Sequence, residues 1–215
     1  MIAVKILLFL IVGYLFGNIS FAYIIGKLNH VDIRTQGSGN AGTTNAMRTL
    51  GKKAGIFTYI GDALKTFVPT LLMAYLFAPA LPFSLVVLIT GFGVVIGHNY
   101  PFWLGFKGGK GIAVTSAVII VYCCMVNPWL ILAYIALFFS IVFGTRYVSV
   151  GSLIVVFVFM IQVAVCSIGQ DLYPVEVFFG CMFCASGFFA HRSNIKRLLN
   201  GTENKIGSKK NKSEE

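Results

Sequence analysis

The sequence is poor in charged residues, and acidic residues are the scarcest of them. Charged side chains make up 11% of the 215 residues, with 7 Asp and Glu against 17 Lys and Arg. Hydrophobic residues make up 57%, and the mean hydropathy is +0.84. A soluble globular domain typically carries about 25% charged residues, so that class is excluded. Several apolar runs reach the roughly 20 residues that a membrane-spanning helix needs.

The sequence also lacks a basic face for nucleic acid and a paired set of cysteines. The net charge is +10, but spanning segments separate the basic residues, so we expect no nucleic-acid partner. Cys181 and Cys184 have no second pair to complete a zinc or redox site, and we expect the five cysteines to pack among apolar residues. Lys5 is the only early positive charge and no small-residue cleavage site follows it, so no secretory signal is predicted.

Seven apolar segments predict an all-α, polytopic membrane protein. We place the spans at about 2–25, 55–78, 81–99, 112–127, 129–146, 148–168 and 172–190. Residues 1–206 are predicted to form a single transmembrane domain. Residues 207–215 are polar and are predicted to form a disordered tail.

The positions of lysine and arginine predict the orientation. With seven spans, the loops 26–54, 100–111, 146–149 and 191–215 lie on one side. They hold 15 of the 17 basic residues, all except Lys5 and Lys65. Because cytoplasmic loops carry an excess of Lys and Arg, we expect the N-terminus outside and the C-terminus in the cytoplasm. The Gly-rich and polar stretches share the cytoplasmic side, so we expect the working face there.

The first of these stretches, 37–51, is rich in glycine and hydroxyl groups and contains an arginine. Glycines permit positive φ and close approach of the backbone to a ligand. Converging amides, hydroxyls and a planar guanidinium suit a phosphate. A flexible loop with an arginine at the lipid headgroups is the alternative. The candidate phosphate-binding residues are Ser38, Gly39, Asn40, Gly42, Thr44, Asn45 and Arg48.

The second stretch, 97–111, places Lys107, Gly108, Gly109 and Lys110 before the next span. Two ammonium groups on a glycine backbone can fold around an anion, although the spacing is not that of a Walker motif. A plain positive-inside anchor is the alternative. His98 is either part of the site or a buried residue at a helix end. In the second span, 55–78, Asp62 and Lys65 are three residues apart and are predicted to pair with each other.

Two further groups come from the later inner turns. Ser149 and Ser152 either donate to a ligand or cap the sixth helix, and residue type alone favours the cap. In the third stretch, 191–203, His191 and Asn194 share a helix face, whereas Arg192, Lys196 and Arg197 are expected elsewhere, at the interface. A basic helix end that snorkels to the interface is the alternative. Arg48, Lys107, Lys110, Arg192 and His191 can face one region, which suits an amphiphile with a phosphate head.

These three stretches resemble the motifs of the bacterial acyl-phosphate:glycerol-3-phosphate acyltransferases, the PlsY family. The resemblance covers nearly the whole chain. It rests on 37–40 with 44–45 and 48–51, on 97–98 with 101 and 106–111, and on 191–192 with 194–195, 197–198 and 201–203.

The resemblance implies transfer of a fatty acyl group from acyl phosphate to the 1-hydroxyl of glycerol 3-phosphate at the bacterial inner membrane, giving lysophosphatidic acid and phosphate. It implies a neighbouring enzyme that forms acyl phosphate, and no cofactor. By carry-over, Ser38, Arg48 and Lys107 hold phosphate, and Thr44 and Asn45 line the same pocket. His191 and Asn194 position the reacting groups, Glu203 orders the third motif, and Ser149 joins the site.

The residue inventory agrees with that chemistry. Acyl phosphate is already activated, and the sequence has no Ser/His/Asp set, metal cluster or cofactor motif. The His-x4-Asp pattern of another acyltransferase class is absent, since the residues five beyond the three histidines are Thr35, Trp103 and Lys196. The competing hypotheses are a transporter for a phosphorylated metabolite, for which no two similar halves are seen, and a structural membrane protein.

Overall fold

The computed structural model describes residues 2–77 and 80–207. Every regular element in these ranges is helical. The α-helices are α1 (Ile2–Gly17), α2 (Phe21–Leu28), α3 (Thr43–Leu50), α4 (Lys52–Phe77), α5 (Phe83–Asn99), α6 (Ile112–Val126), α7 (Leu130–Thr145), α8 (Val148–Cys166), α9 (Tyr173–Ala190) and α10 (Arg192–Leu199), with a 3-10 turn at Phe102–Leu104. Apart from Gly207, the predicted disordered tail lies outside the described residues.

Five helical segments are long and apolar enough to cross a membrane: Ile2–Leu28, Lys52–Phe77, Phe83–Leu104, Val148–Cys166 and Tyr173–Ala190. Helices α6 and α7 are shorter, with 15 and 16 residues. At 1.5 Å per residue they are about 23 Å long, less than the roughly 30 Å of a hydrocarbon core. The protein is therefore an all-helical, multi-pass membrane protein in which two apolar helices fall short of the usual span.

The first predicted span, about 2–25, is confirmed as an apolar segment long enough to cross a membrane, Ile2–Leu28, but it is not one continuous helix. The helix stops after Gly17 and resumes at Phe21. A break leaves backbone groups without intrahelical partners, and each needs another. The Asn18 carbonyl accepts from Trp103 Nε1 at 2.8 Å, and the Ile19 carbonyl accepts from Lys65 Nζ at 2.6 Å. The break therefore stands because later parts of the chain satisfy it.

Helix α5 is the centre of the bundle. It packs against α1, α4, α6 and α9, and all of its residues except Phe83 and Ile96 are buried. Its contact with α1 is made through glycines. A Cβ on Gly93 would lie 2.5 Å from the Leu10 carbonyl oxygen, and one on Gly97 would lie 2.2 Å from that of Tyr14. Small residues four apart let two membrane helices approach closely, so these glycines hold α5 tightly against α1.

The two ends of the bundle differ. Around the N-terminus of α5 there is a small polar cluster, in which the buried Glu176 accepts hydrogen bonds from Ser84 and Ser167, each at 2.5 Å. The C-terminus of α5 meets the loops and short helices that hold the predicted site.

The prediction that the cysteines are packed is confirmed for Cys123 and wrong for Cys124 and Cys181, which are exposed.

Candidate active site

Four parts of the chain meet near the C-terminus of α5. They are α3, the Gly-rich loop between α5 and α6, the first turn of α8, and α10 with the segment that follows it. Hydrogen bonds join the last three of these parts directly, and the charge of Arg48 in α3 acts on Lys110 of the Gly-rich loop.

Glu203 connects the later elements. Its Oε1 accepts from Asn194 Nδ2 at 2.6 Å and from Ser149 Oγ at 3.0 Å, and its Oε2 accepts from Arg197 Nε at 2.7 Å. These donors hold the pKa of Glu203 below its usual value, although burial opposes them. Glu203 is therefore a charged acceptor that fixes three side chains of the site, and its negative charge makes direct contact with phosphate unfavourable.

Lys110 joins the Gly-rich loop to α10, because its Nζ donates to Asn194 Oδ1. Asn194 is thus held at both ends of its amide. Burial, first, and then the charge of Arg197 lower the pKa of Lys110 to about 8; Glu203 opposes them, and Arg48 adds a smaller lowering effect. The charged side chain of Lys110 is therefore repelled by neighbouring cations, and an anion bound here would relieve that repulsion.

His191 lies at the junction of α9 and α10 and is buried. Its Nδ1 is 2.8 Å from the Gly187 carbonyl oxygen. A carbonyl only accepts, so Nδ1 carries the proton and Nε2 is left as an acceptor. Burial is the main reason that the pKa of His191 falls to about 4, with Lys110 adding to the effect. The imidazole is therefore neutral at physiological pH.

The first stretch is organised by Asn45, which is buried. Its Nδ2 donates to the carbonyls of Ile33 and Gln36, and its Oδ1 accepts from the Ser38 amide at 2.9 Å. Gly37 and Gly39 have φ of +62° and +69°, as the sequence predicted. Asn45 therefore shapes the loop that presents Ser38, and its own amide is used up by the backbone.

The other residues of this stretch surround the start and end of α3. Gly42 is the N-cap of α3, Asn40 Nδ2 lies beside Gly42, and Thr44 is exposed in the first turn. Arg48 is exposed in the last turn, and its charge acts on Lys110. Arg48 and Lys110 thus come close together although 62 positions separate them.

The Gly-rich loop is pinned to the end of α5. The amides of Gly108 and Gly109 donate to the carbonyls of Asn99 and His98, at 3.1 and 2.9 Å. Lys107 is exposed on this loop. Gly111 has φ of +80° and is the N-cap of α6, so the first amides of α6 open next to Lys110. The N-terminus of a helix attracts anions.

Some of the predicted residues have different partners. The cap prediction for Ser149 and Ser152 is wrong, since α8 has no side-chain cap and Ser149 instead reaches Glu203. Arg192 donates to the Phe189 carbonyl and lies over the Phe189 ring. Arg197 was expected at the interface and instead pairs with Glu203.

The position of Arg197 was missed although a signal existed. It lies three residues after Asn194, so on a helix the two share a face. The ion pair predicted between Asp62 and Lys65 is confirmed, with Lys65 Nζ 2.8 Å from Asp62 Oδ1.

An open groove of about 490 Å³ lies beside the site, lined by Val142, Phe143, Arg146, Ile206 and Gly207. The Ile206 amide donates to the Arg146 carbonyl at 2.9 Å, which ties the segment carrying Glu203 to the turn before Ser149. Apolar walls with one guanidinium suit an amphiphile with an anionic head. Within residues 2–77 and 80–207, no three His, Cys, Asp or Glu side chains are grouped to hold a metal ion.

Comparison with known proteins gives one consistent result. The family model described as glycerol-3-phosphate acyltransferase matches residues 7–201. The glycerol-3-phosphate acyltransferase of Clostridioides difficile (strain 630) is 43% identical over 208 residues, which cover 93% of this chain and 95% of that one. That of Alkaliphilus metalliredigens is 40% identical, covering 94% and 97%.

Two crystal structures of PlsY (YgiH), an integral membrane glycerol 3-phosphate acyltransferase, have the same fold. The glycerol 3-phosphate form has a TM-score of 0.81 and the lysophosphatidic acid form 0.79, each at 36% identity. They cover 94% of this chain, and 96% and 95% of their own. With the motifs, the helical bundle and the family match in agreement, this chain belongs to the glycerol-3-phosphate acyltransferase family.

Proposed function

We propose that the protein transfers a fatty acyl group from acyl phosphate to the 1-hydroxyl of glycerol 3-phosphate, giving lysophosphatidic acid and phosphate. The observation that carries the proposal is the meeting of Arg48, Lys110 and the start of α6 beside Asn194 and His191. The substrate named for the crystallised relative, glycerol 3-phosphate, has the charge that this arrangement favours. The donor, acyl phosphate, is our own assignment.

Arg48 and Lys110 are the proposed phosphate ligands, with Ser38 and Lys107 completing the set from the two loops. Arg48 supplies a planar fork that matches phosphate geometry. Glu203 neutralises Arg197 and holds Asn194, so we assign it to positioning. Ser149 acts through the same carboxylate. Gly39, Gly42 and Gly108 let the loops take these paths, and Thr44 is the exposed hydroxyl at the start of α3.

The reaction needs one proton transfer. The hydroxyl oxygen attacks the acyl carbon, the bond from that carbon to the phosphate oxygen breaks, and the hydroxyl proton leaves. His191 Nε2 can accept a hydrogen bond from the hydroxyl, but a pKa of about 4 makes it a weak base. We therefore assign the proton to the departing phosphate, which is a stronger base. Holding both anions in place supplies most of the acceleration, since effective molarity alone is worth roughly 7–11 kcal/mol.

We further propose seven membrane crossings in a bacterial inner membrane, with the N-terminus outside and the site at the cytoplasmic surface. The placement of Lys and Arg supports this orientation. The proposed sides of the two termini are the same if α6 and α7 together enter and leave the membrane from one side, because that pair of helices returns the chain to the same surface. A Gly207→Cys variant is expected to react only with reagents that enter the cytoplasm. Labelling from outside intact cells contradicts the orientation.

The donor is tested with purified protein in detergent and radiolabelled glycerol 3-phosphate. Acyl phosphate, acyl-CoA and acyl-carrier protein are offered separately, and lysophosphatidic acid is measured. Of the three donors, we expect only acyl phosphate to give product. Product with acyl-CoA and none with acyl phosphate contradicts the donor assignment but keeps the acceptor. No product with any donor contradicts the whole proposal.

A further inference from the structure

Three charged or titratable side chains are buried together beneath the Gly-rich loop, outside the residues assigned to the substrates. The side chains of Asp62 and Lys65 are each 1% exposed, and that of His98 is 3% exposed. Charges inside a membrane bundle are costly, and those that are kept usually serve the function. The ion pair alone would satisfy the charges, but the arrangement extends further.

Lys65 Nζ has three close partners, one by ion pairing and two by hydrogen bonding. Nζ lies 2.8 Å from Asp62 Oδ1, 2.6 Å from the Ile19 carbonyl oxygen and 3.0 Å from His98 Nδ1. An ammonium group only donates, so His98 Nδ1 is the acceptor and the ring proton is on Nε2. Lys65 thus fixes the orientation and the tautomer of the histidine, and it ties that histidine to the break between α1 and α2.

The opposite edge of the His98 ring faces the loop. A Cβ built on Gly109 would lie 1.9 Å from His98 Nε2, 2.7 Å from Cε1 and 2.8 Å from Cδ2. The ring therefore occupies the space that any side chain at residue 109 would need. At Gly108, by contrast, the nearest atom to a built Cβ is the backbone carbonyl oxygen of His98, at 2.0 Å.

We propose that Asp62, Lys65 and His98 are positioning residues that set the position, relative to the end of α5, of the loop carrying Lys107 and Lys110. The carboxylate orients the ammonium, the ammonium orients the imidazole, and the imidazole ring forms the surface on which Gly109 rests. The kinetic test of this proposal rests on the proposed function, because it reads the loop through glycerol 3-phosphate.

The first experiment is a rescue with a matched control. Gly109→Ala should lower kcat/KM for glycerol 3-phosphate at least 100-fold, because the new methyl group meets the ring. Adding His98→Ala removes the ring, so kcat/KM of the double variant should be at least fivefold higher than that of Gly109→Ala. Gly108→Ala should not be rescued by His98→Ala, because its obstacle is backbone. Full activity of Gly109→Ala, or equal rescue at both glycines, overturns the proposal.

The second experiment tests the charges. Asp62→Asn and Lys65→Met should raise KM for glycerol 3-phosphate about tenfold or more, while kcat at saturation changes less than threefold. Size-exclusion profile and thermal midpoint identify variants that have merely failed to fold. A fall confined to kcat, with KM unchanged in a folded variant, contradicts a positioning role.

A third readout does not need turnover. A nitroxide on Lys107→Cys reports the mobility of the loop by electron paramagnetic resonance. We expect the spectrum to sharpen, as the loop becomes more mobile, when His98→Ala or Lys65→Met is added. An unchanged spectrum contradicts the proposal even where the acyltransferase assignment holds. Sharpening in the labelled protein, together with no acyltransferase activity in the unlabelled wild type, would support the loop assignment and reject only the function.

Discussion

The pKa of Lys110 provides a direct test of the proposed phosphate site. Burial and neighbouring cations lower that pKa to about 8, so in the free enzyme the side chain is about nine-tenths protonated at pH 7 and about one-tenth at pH 9. If charged Lys110 binds glycerol 3-phosphate, kcat/KM for this substrate should be level below about pH 7.5. It should fall about tenfold between pH 7 and pH 9.

The assay is the pH dependence of kcat/KM, which reports groups of the free enzyme. Phosphate monoesters lose their second proton near pH 6, and the pKa of His191 is about 4, so neither titrates in the range used. Lys110→Arg is the matched control, because a guanidinium stays protonated throughout. Its overall activity should be lower, but the fall should vanish. A wild-type profile level to pH 9.5, or an equal fall in Lys110→Arg, refutes the reasoning.

Three further outcomes are expected. Arg48→Ala should lower kcat/KM for glycerol 3-phosphate about 10- to 150-fold, since a charge-assisted pair is worth roughly 1.5–3 kcal/mol. Arg192→Ala, whose partner is Phe189, should change it less than threefold, and equal losses would contradict the site. Glu203→Gln should lower kcat about tenfold by weakening its contacts with Arg197 and Asn194, and unchanged kinetics would reject its positioning role. Gly97→Ala should lower the thermal midpoint by several degrees, because its Cβ would meet the Tyr14 carbonyl, while Gly144→Ala, with open space around it, should be neutral in the same melting experiment.

Much of the fold was predictable because it depends on local pattern. Apolar runs of about 20 residues define helices whatever their neighbours are. The break at 18–20 was not predictable in this way, since Asn18, Ile19 and Ser20 sit in an apolar run. It depends on Lys65 and Trp103, which are distant in the sequence. The shortness of α6 was visible in the sequence, because Gly111 and Asn127 bound its apolar run, whereas α7 is slightly shorter than the predicted span 129–146.

The residues of the proposed site could be named from the sequence, but their hydrogen-bond partners could not. Asn45 and Asn194 look alike as polar residues in a motif, yet the amide of Asn45 is used by the backbone and that of Asn194 joins Lys110 to Glu203. Ser149 stands where a helix cap is expected, and a contact 54 positions away decides its role. Long-range partners of this kind leave no periodic signal in the sequence.

The central claim is that a cationic pocket at one end of the bundle recognises the phosphate of the acceptor. The most direct measurement is calorimetric binding of glycerol 3-phosphate, with glycerol as the comparison, to the protein without an acyl donor. We predict that glycerol 3-phosphate binds, that glycerol does not, and that Arg48→Ala abolishes the binding. Equal binding of both ligands, or undiminished binding to Arg48→Ala, would contradict the account.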